Sequence, residues 1–443
     1  MGNSRVRLNR DFAFIKDSVF IAICRCFSQN HFTRNRKLSL NHLILSIFNR
    51  KGSTLSMEIR RFFKLLKSKN TEVISNAGYL KQRLKLNPAA FMSLSDFHIK
   101  NFYDDEKELM KFKNYFVFAV DGSHVNVPNT QENEDLYGLR KNQSSQLQAQ
   151  AVISCLYDVF NKMILDCTIN DYKVSERVQA EVHIEKITSF IGDQPYIVVL
   201  DRGYPSSFFF MNRLEKNQNF IVRLGSSDFR QEQRNMASAD EDVEIVFTKA
   251  RVNPYRKTPS AKRLQEKGSI RLRFVKVNLP GETTEFLATN LSREDFSQQE
   301  ISELYRLRWS IETAYDTLKN KFMLENFTGK KSIIIEQDIM ATICLYNMTQ
   351  DMLRDAEMAQ KEKNKQKHYK YKMTVNVNTA IGIIKDELIH MALENSPEKR
   401  TEIFEGIIEA IAGNIVPVRE NRQFQRGKKH PAIKYPVTKK HSY

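Results

Sequence analysis

At 443 residues the chain is longer than one hydrophobic core usually absorbs, so two or three domains, or one core with large insertions, are expected. Lys and Arg number 69 against 52 Asp and Glu, a formal charge of +17, which favours a polyanionic partner over an acidic small molecule. The five cysteines, at positions 24, 26, 155, 167 and 344, are odd in number and lack paired ligand spacing, which argues against a disulfide framework or a zinc site and for a reducing compartment.

The N-terminal stretch "FAFIKDSVFIAICRCF" is interrupted by Lys16, Asp17 and Arg25, so it makes a poor signal peptide and no membrane span. Residues 1–110 read as helices, with 20 Lys and Arg against 9 Asp and Glu, and form a candidate helical DNA-binding region. In "NAGYLKQRLKLNPAAFMSLSDFHIK" a basic helix ends where Pro88 opens the next segment. Tyr79, Lys81, Arg83 and Lys85 on that helix either face phosphates or form a solvated surface.

From residue 115 the texture changes to strands: "YFVFAV" (115–120), "QAQAVISCLYD" (148–158) and "KMILDCTI" (162–169). A helix over 175–190 with Ser175 as its cap, the continuous apolar strand "YIVVL" (196–200), a helix from Pro205 to about 216 and the strand "NFIVRL" (219–224) follow. The order β-β-β-α-β-α-β predicts an α/β mixed sheet flanked by helices, with its first part at 111–227. Residues 228–291 read as a β-rich insertion, with strand-like runs at 242–249, 269–279 and 283–291. Ser297 and Glu300 form a capping box for the next helix, and an apolar helix over about 335–356 closes the core region 292–356. The remainder, 357–443, is predicted to hold the charged linker 361–372, a helical pattern over 377–411 and a basic, proline-punctuated tail that is extended or disordered until it meets a partner.

Two apolar strands finish in an acid, Asp121 in "FVFAVDGS" and Asp201 in "YIVVLDRGY". Residues just past strand ends line the crevice of an open α/β sheet, so the two can converge. Paired carboxylates repel unless protonated or bridged by a hard divalent cation such as Mg²⁺. A third acid, Glu312, lies in "YRLRWSIETAYDTLK". On a continuous helix at about 100° per residue, Tyr305, Arg308, Glu312 and Lys319 fall within an arc of roughly 60°, beside an apolar stripe that includes Leu304, Ile311, Tyr315 and Leu318. Two metal ions roughly 3.5 to 4 Å apart would clamp the attacking and leaving oxygens of a phosphodiester, while Arg308, Lys319 and Tyr305 would hold phosphates. Taken singly, each signal has a plain structural alternative, since Asp-Gly is a common turn and Arg308 with Glu312 is an i,i+4 pair.

The spacing of Tyr305, Arg308, Glu312 and Lys319 resembles the C-terminal signature of the insertion-sequence-four family of DDE transposases, without a gap. "DRGY" and "VDGS" resemble that family's surroundings of the second and first acid, and "NAGYLKQRLKLNPAAF" its helical N-terminal segment. The resemblance implies an RNase H-like core with a β insertion between Asp201 and Glu312, and Asp121, Asp201 and Glu312 as catalytic residues and metal ligands. It also implies two Mg²⁺ ions, with Mn²⁺ able to substitute, and cut-and-paste transposition on double-stranded DNA by a homodimer that pairs the element ends, often through a hairpin. Arg202, Trp309, Lys81 and Arg83 join Tyr305, Arg308 and Lys319 as candidate DNA contacts. Related enzymes can stack a flipped base on a Trp of the β insertion, but the single Trp here is Trp309, which leaves Phe286 as a substitute or as an ordinary strand residue. The expected setting is the bacterial cytoplasm and nucleoid. A nuclease that cuts without joining and a catalytically inactive DNA-binding regulator are the competing readings.

Overall fold

The structure is a computed structural model and describes residues 3–25, 28–34, 37–67, 73–104, 109–141, 147–278 and 284–418. Cys26 and the basic tail from Arg419 onward lie outside these residues. Strands β1 (Phe116–Asn126), β2 (Leu139–Lys141), β3 (Leu147–Asp158), β4 (Ile164–Asp171), β5 (Tyr196–Leu200), β6 (Asn219–Leu224), β7 (Asp240–Val246), β8 (Ser269–Asn278) and β9 (Thr284–Thr289) form one nine-stranded sheet. β1 pairs antiparallel with β3, which carries β2 and β4 on its other edge. On its far side β1 runs parallel to β5, and β5 parallel to β6. Three antiparallel strands continued by two parallel ones, in the order β4-β3-β1-β5-β6, make the centre RNase H-like.

The central strands are apolar over Phe116–Val120, Tyr196–Leu200 and Phe220–Val222, where both faces of the sheet are covered. Their two-residue period then divides them between two cores. Val117, Ala119, Ile197, Val199 and Ile221 pack on one side, and Phe116, Phe118, Val120, Val198, Leu200, Phe220 and Val222 on the other. The first core is closed by the N-terminal helices and by the 32-residue helix Ser332–Lys363, which packs on the helices Ala89–Tyr103 and Pro397–Gly413. The helices Glu176–Lys186 and Ser207–Glu215 cover the second.

Several elements differ from the sequence reading. β1 runs on through Asp121 to Asn126, because the twelve-residue β3 keeps pairing with it past the end of β5. The strands of 228–291 extend the main sheet, β9 pairing antiparallel with β6 and β8 with β9. The helix expected over 377–411 is two, Val377–Leu393 and Pro397–Gly413, since Pro397 cannot continue the first and Ser396 caps the second by accepting from the Lys399 N–H. The helix expected to end near 356 reaches Lys363, into the charge run. Among the described residues no helix is long and apolar enough to cross a membrane.

Candidate active site

The last register pair between β1 and β5 is Ala119 opposite Val199. Beyond it β1 has only β3 as a partner, with Asp121 opposite Cys155 and Gly122 opposite Ser154. Asp201 is the first residue after β5, so the two aspartates flank the point where neighbouring parallel strands part. Glu312 comes from the helix Trp309–Asp316, which buries Ile311, Ala314 and Tyr315. The Tyr315 hydroxyl donates to the main-chain oxygen of Asp121 at 2.7 Å, fixing that helix to β1.

Arg308 joins the three acids. One terminal nitrogen donates to Glu312 Oε1 at 2.9 Å and lies 4.0 Å from Asp201 Oδ2; the other is 3.8 Å from Asp121 Oδ2. The arginine side chain is 3% exposed, whereas those of Asp121, Asp201 and Glu312 are 22%, 31% and 38% exposed. The guanidinium therefore sits behind the carboxylates, on the protein side, and leaves their outer side to solvent. It packs over the rings of Tyr305 and Trp309, at 5.9 and 5.4 Å from the ring centres.

Burial pushes the Asp121 carboxyl up to about 6; the Gly122 N–H and Arg308 pull it down, and the charges of Glu312 and Glu176 push it further up. Asp201 accepts from the Tyr305 hydroxyl at 3.1 Å and lies 3.9 Å from Arg223, which also pairs with Glu285 at 2.9 Å. Lys319 donates to Ser123 Oγ at 2.7 Å and to the His124 carbonyl at 2.6 Å, alongside β1.

The single helix expected through 305–319 is in three pieces. Helix Gln298–Leu307 carries Tyr305, Arg308 is the joint, helix Trp309–Asp316 carries Glu312, and one π-helical turn, Thr317–Lys321, carries Lys319. The capping box of Ser297 and Glu300 is present.

Asp121, Asp201, Glu312, Tyr305 and Arg308 thus come to one place. Arg308 faces carboxylates instead of solvent, which corrects the expectation that it lies open to phosphate. Trp309 is 51% exposed, and Arg202 and Lys81 are exposed too. Arg83 is a second correction. It is fully buried and donates to Gln337 Oε1 at 2.5 Å, Thr328 Oγ1 at 2.8 Å, Asp338 Oδ1 at 2.8 Å and the Ile334 carbonyl at 3.3 Å, so it ties helices together. Phe286 lies on β9, half-buried against the second core. The sequence reading gave no site role to Arg223 or Tyr315, which lie against Asp201 and Asp121. For Arg223 a signal was present, a lone cation inside the apolar strand "NFIVRL".

Three carboxylates open on their outer side have the donor chemistry of a site for a hard divalent cation. As they stand, no group of three His, Cys, Asp or Glu among the described residues is drawn closely enough to hold an ion between them.

Residues 114–348, more than half of the chain, match the family described as the transposase DDE domain. Over 335 residues the chain is 23% identical to the transposase InsG for insertion sequence element IS4 of Escherichia coli (strain K12), an alignment covering 74% of this chain and 70% of that protein. The cryo-EM structure of a piggyBac transposase synaptic complex with hairpin DNA aligns with 96% of this chain and 88% of that one, at 10% identity and a TM-score of 0.46, too loose a likeness to place side chains by. The family match begins just before β1 and ends within the helix Ser332–Lys363, so it takes in the strands and helices that carry all three acids. The chain belongs to the transposase DDE domain family and is a DDE transposase of the insertion-sequence-four kind, an enzyme that acts on DNA.

Proposed function

We propose that the chain moves its own element by a cut-and-paste route, with Asp121, Asp201 and Glu312 as the catalytic acids. The observation that carries this reading is the meeting of carboxylates from β1, the end of β5 and a C-terminal helix around one buried guanidinium. The family uses divalent metal ions, and the assignment here is two Mg²⁺, with Mn²⁺ as a substitute. When bound, the metal supplies charge neutralisation at the attacked phosphodiester and makes the attacking water more acidic.

The chain's own groups do the rest. Tyr305 and Arg223 orient Asp201, Tyr315 holds the backbone of Asp121, and Arg308 offsets the repulsion among the acids from beneath. Lys319, Trp309, Arg202 and Lys81 are the proposed contacts to duplex DNA, both element ends and target, in the bacterial cytoplasm. Cutting takes place in a homodimer that pairs the terminal inverted repeats. Residues 228–291 form an insertion unit between the two parts of the core, with the helical N-terminal region and the basic tail adding phosphate contacts.

Incubating the protein and Mg²⁺ with a labelled element end tests the proposal. Cleaved ends and joined products are expected from the wild type, whereas Asp121→Asn, Asp201→Asn and Glu312→Gln should each bind the end and fail to cut it. Normal cutting by any one of the three removes that residue from the site, and cutting without joined products would favour a nuclease.

A further inference from the structure

Outside the three acids, one more carboxylate reaches the same place. Glu176 opens the helix Glu176–Lys186, which lies across β1, β3 and β4. Its two oxygens touch both acid-bearing segments. A Cβ on Gly122, next to Asp121, would lie 3.7 Å from Glu176 Oε1, and a Cβ on Gly203, two residues after Asp201, would lie 2.7 Å from Oε2. Glycine at 203 is what lets the carboxylate approach that loop. The neighbouring Arg177 donates from Nε to the Gly203 carbonyl at 3.0 Å, so the first turn of the helix clasps the loop after Asp201.

The helix is fixed from below. Gln179 accepts from Thr168 Oγ1 and Asn170 Nδ2, each at 3.1 Å. His183 bridges Asp166 Oδ2 at 2.7 Å and Ser154 Oγ at 3.0 Å. All three members of that Ser-His-Asp chain are buried, so it works as an anchor and not as a hydrolytic triad. Independently, Tyr204 is 1% exposed and its buried hydroxyl has no hydrogen-bond partner among the described residues. Tyr204 belongs to the loop that Arg177 and Glu176 clasp, three residues past Asp201; burial pushes its hydroxyl well up, and the charges of Asp121, Glu176 and Asp201 add to this while Arg308 opposes it. An unpartnered donor held among these carboxylates points to a ligand that the protein itself does not supply.

We propose that Glu176 is a fourth acidic group of the metal site, facing it from the side opposite Glu312, and that the Tyr204 hydroxyl donates to an oxygen of what binds there. This rests on the metal-dependent reading above. Glu176 would bind the ion or one of its waters, and Gly203 would be required to let it reach.

The test is titration of the full chain, without DNA, with Mn²⁺, the free ion followed by electron paramagnetic resonance. Glu176→Gln should weaken Mn²⁺ binding about tenfold, in the range seen for groups that support a metal site. Gly203→Ala should weaken it in the same direction, because its new Cβ displaces the flexible end of Glu176 while leaving the carboxylate in place chemically. Asp121→Asn and Asp201→Asn serve as references and should lose binding. Wild-type affinity in Glu176→Gln and Gly203→Ala, with loss in both aspartate variants, overturns the role of Glu176 alone. Wild-type affinity in the aspartate variants as well overturns the metal site itself, and this inference with it.

Discussion

Arg83 shows how one residue is misread from sequence. Its helix, Asn76–Arg83, also carries Lys81, and Lys85 follows in the next turn, which suggested a charged outer face, yet Tyr79 and Arg83 are buried while Leu84 is exposed. The reason is a partner far along the chain: Asp338, fully buried, accepts from Arg83 and is 3.2 Å from Arg50. Local periodicity holds no trace of a charge more than 250 positions away. Removing Arg83 leaves the buried Asp338 carboxylate with Arg50 as its remaining cation and strips a fully buried site of several hydrogen bonds. Arg83→Ala should therefore destabilise the fold by about 3 kcal/mol, seen as a lower urea midpoint with no DNA present. If Arg83 were a phosphate contact, stability would hold and only DNA affinity would fall. The acids were easier to find. Asp121 and Asp201 each follow an unbroken apolar run, and that run is itself the mark of a strand covered on both faces.

At the scale of elements, caps were legible and continuity was not. The capping box at Ser297 depends on neighbours three residues apart, which a sequence displays directly. The division of the 305–319 segment into three pieces, with Arg308 as the joint, has no such local signal in the sequence. The long helix Ser332–Lys363 has a cap of the second kind. Glu132, from a different part of the chain, accepts from the Ser332 N–H at 3.0 Å, the Ser332 hydroxyl at 2.6 Å and Lys331 at 2.8 Å. A carboxylate at a helix N-terminus also complements the positive end of the dipole. Hydrogen bonds from Lys331 and then Ser332 hold its carboxyl at about 2, below the usual 4.5. A carboxylate with a folded pKa below its unfolded value stabilises the fold above the unfolded pKa, and that share is lost as the group protonates. The melting temperature should therefore drop as pH falls from about 4.5 to about 2, and Glu132→Gln should flatten that part of the profile.

For the molecule as a whole, the longer strands and the helices between them from 115 to 224 were readable because those strands are largely apolar blocks bounded by polar turns, whereas the helix Gln131–Tyr137 and the short, polar β2 were not. Where β7, β8 and β9 would pair was not readable either, since a strand's own residues carry no record of the neighbour it will meet. The charge of +17 predicts binding that weakens steeply with salt. If exposed Lys81 touches a phosphate, Lys81→Ala should lower the slope of log affinity against log salt by about 1 while leaving sequence preference unchanged. Arg308 adds a consequence for handling the enzyme. Because a permanent cation already answers the trio from within, the resting fold has no need of an ion for cohesion, and a chelator should change its melting temperature little. Arg308→Met would reverse this, giving a protein that unfolds early in chelator and recovers as divalent ions are added back.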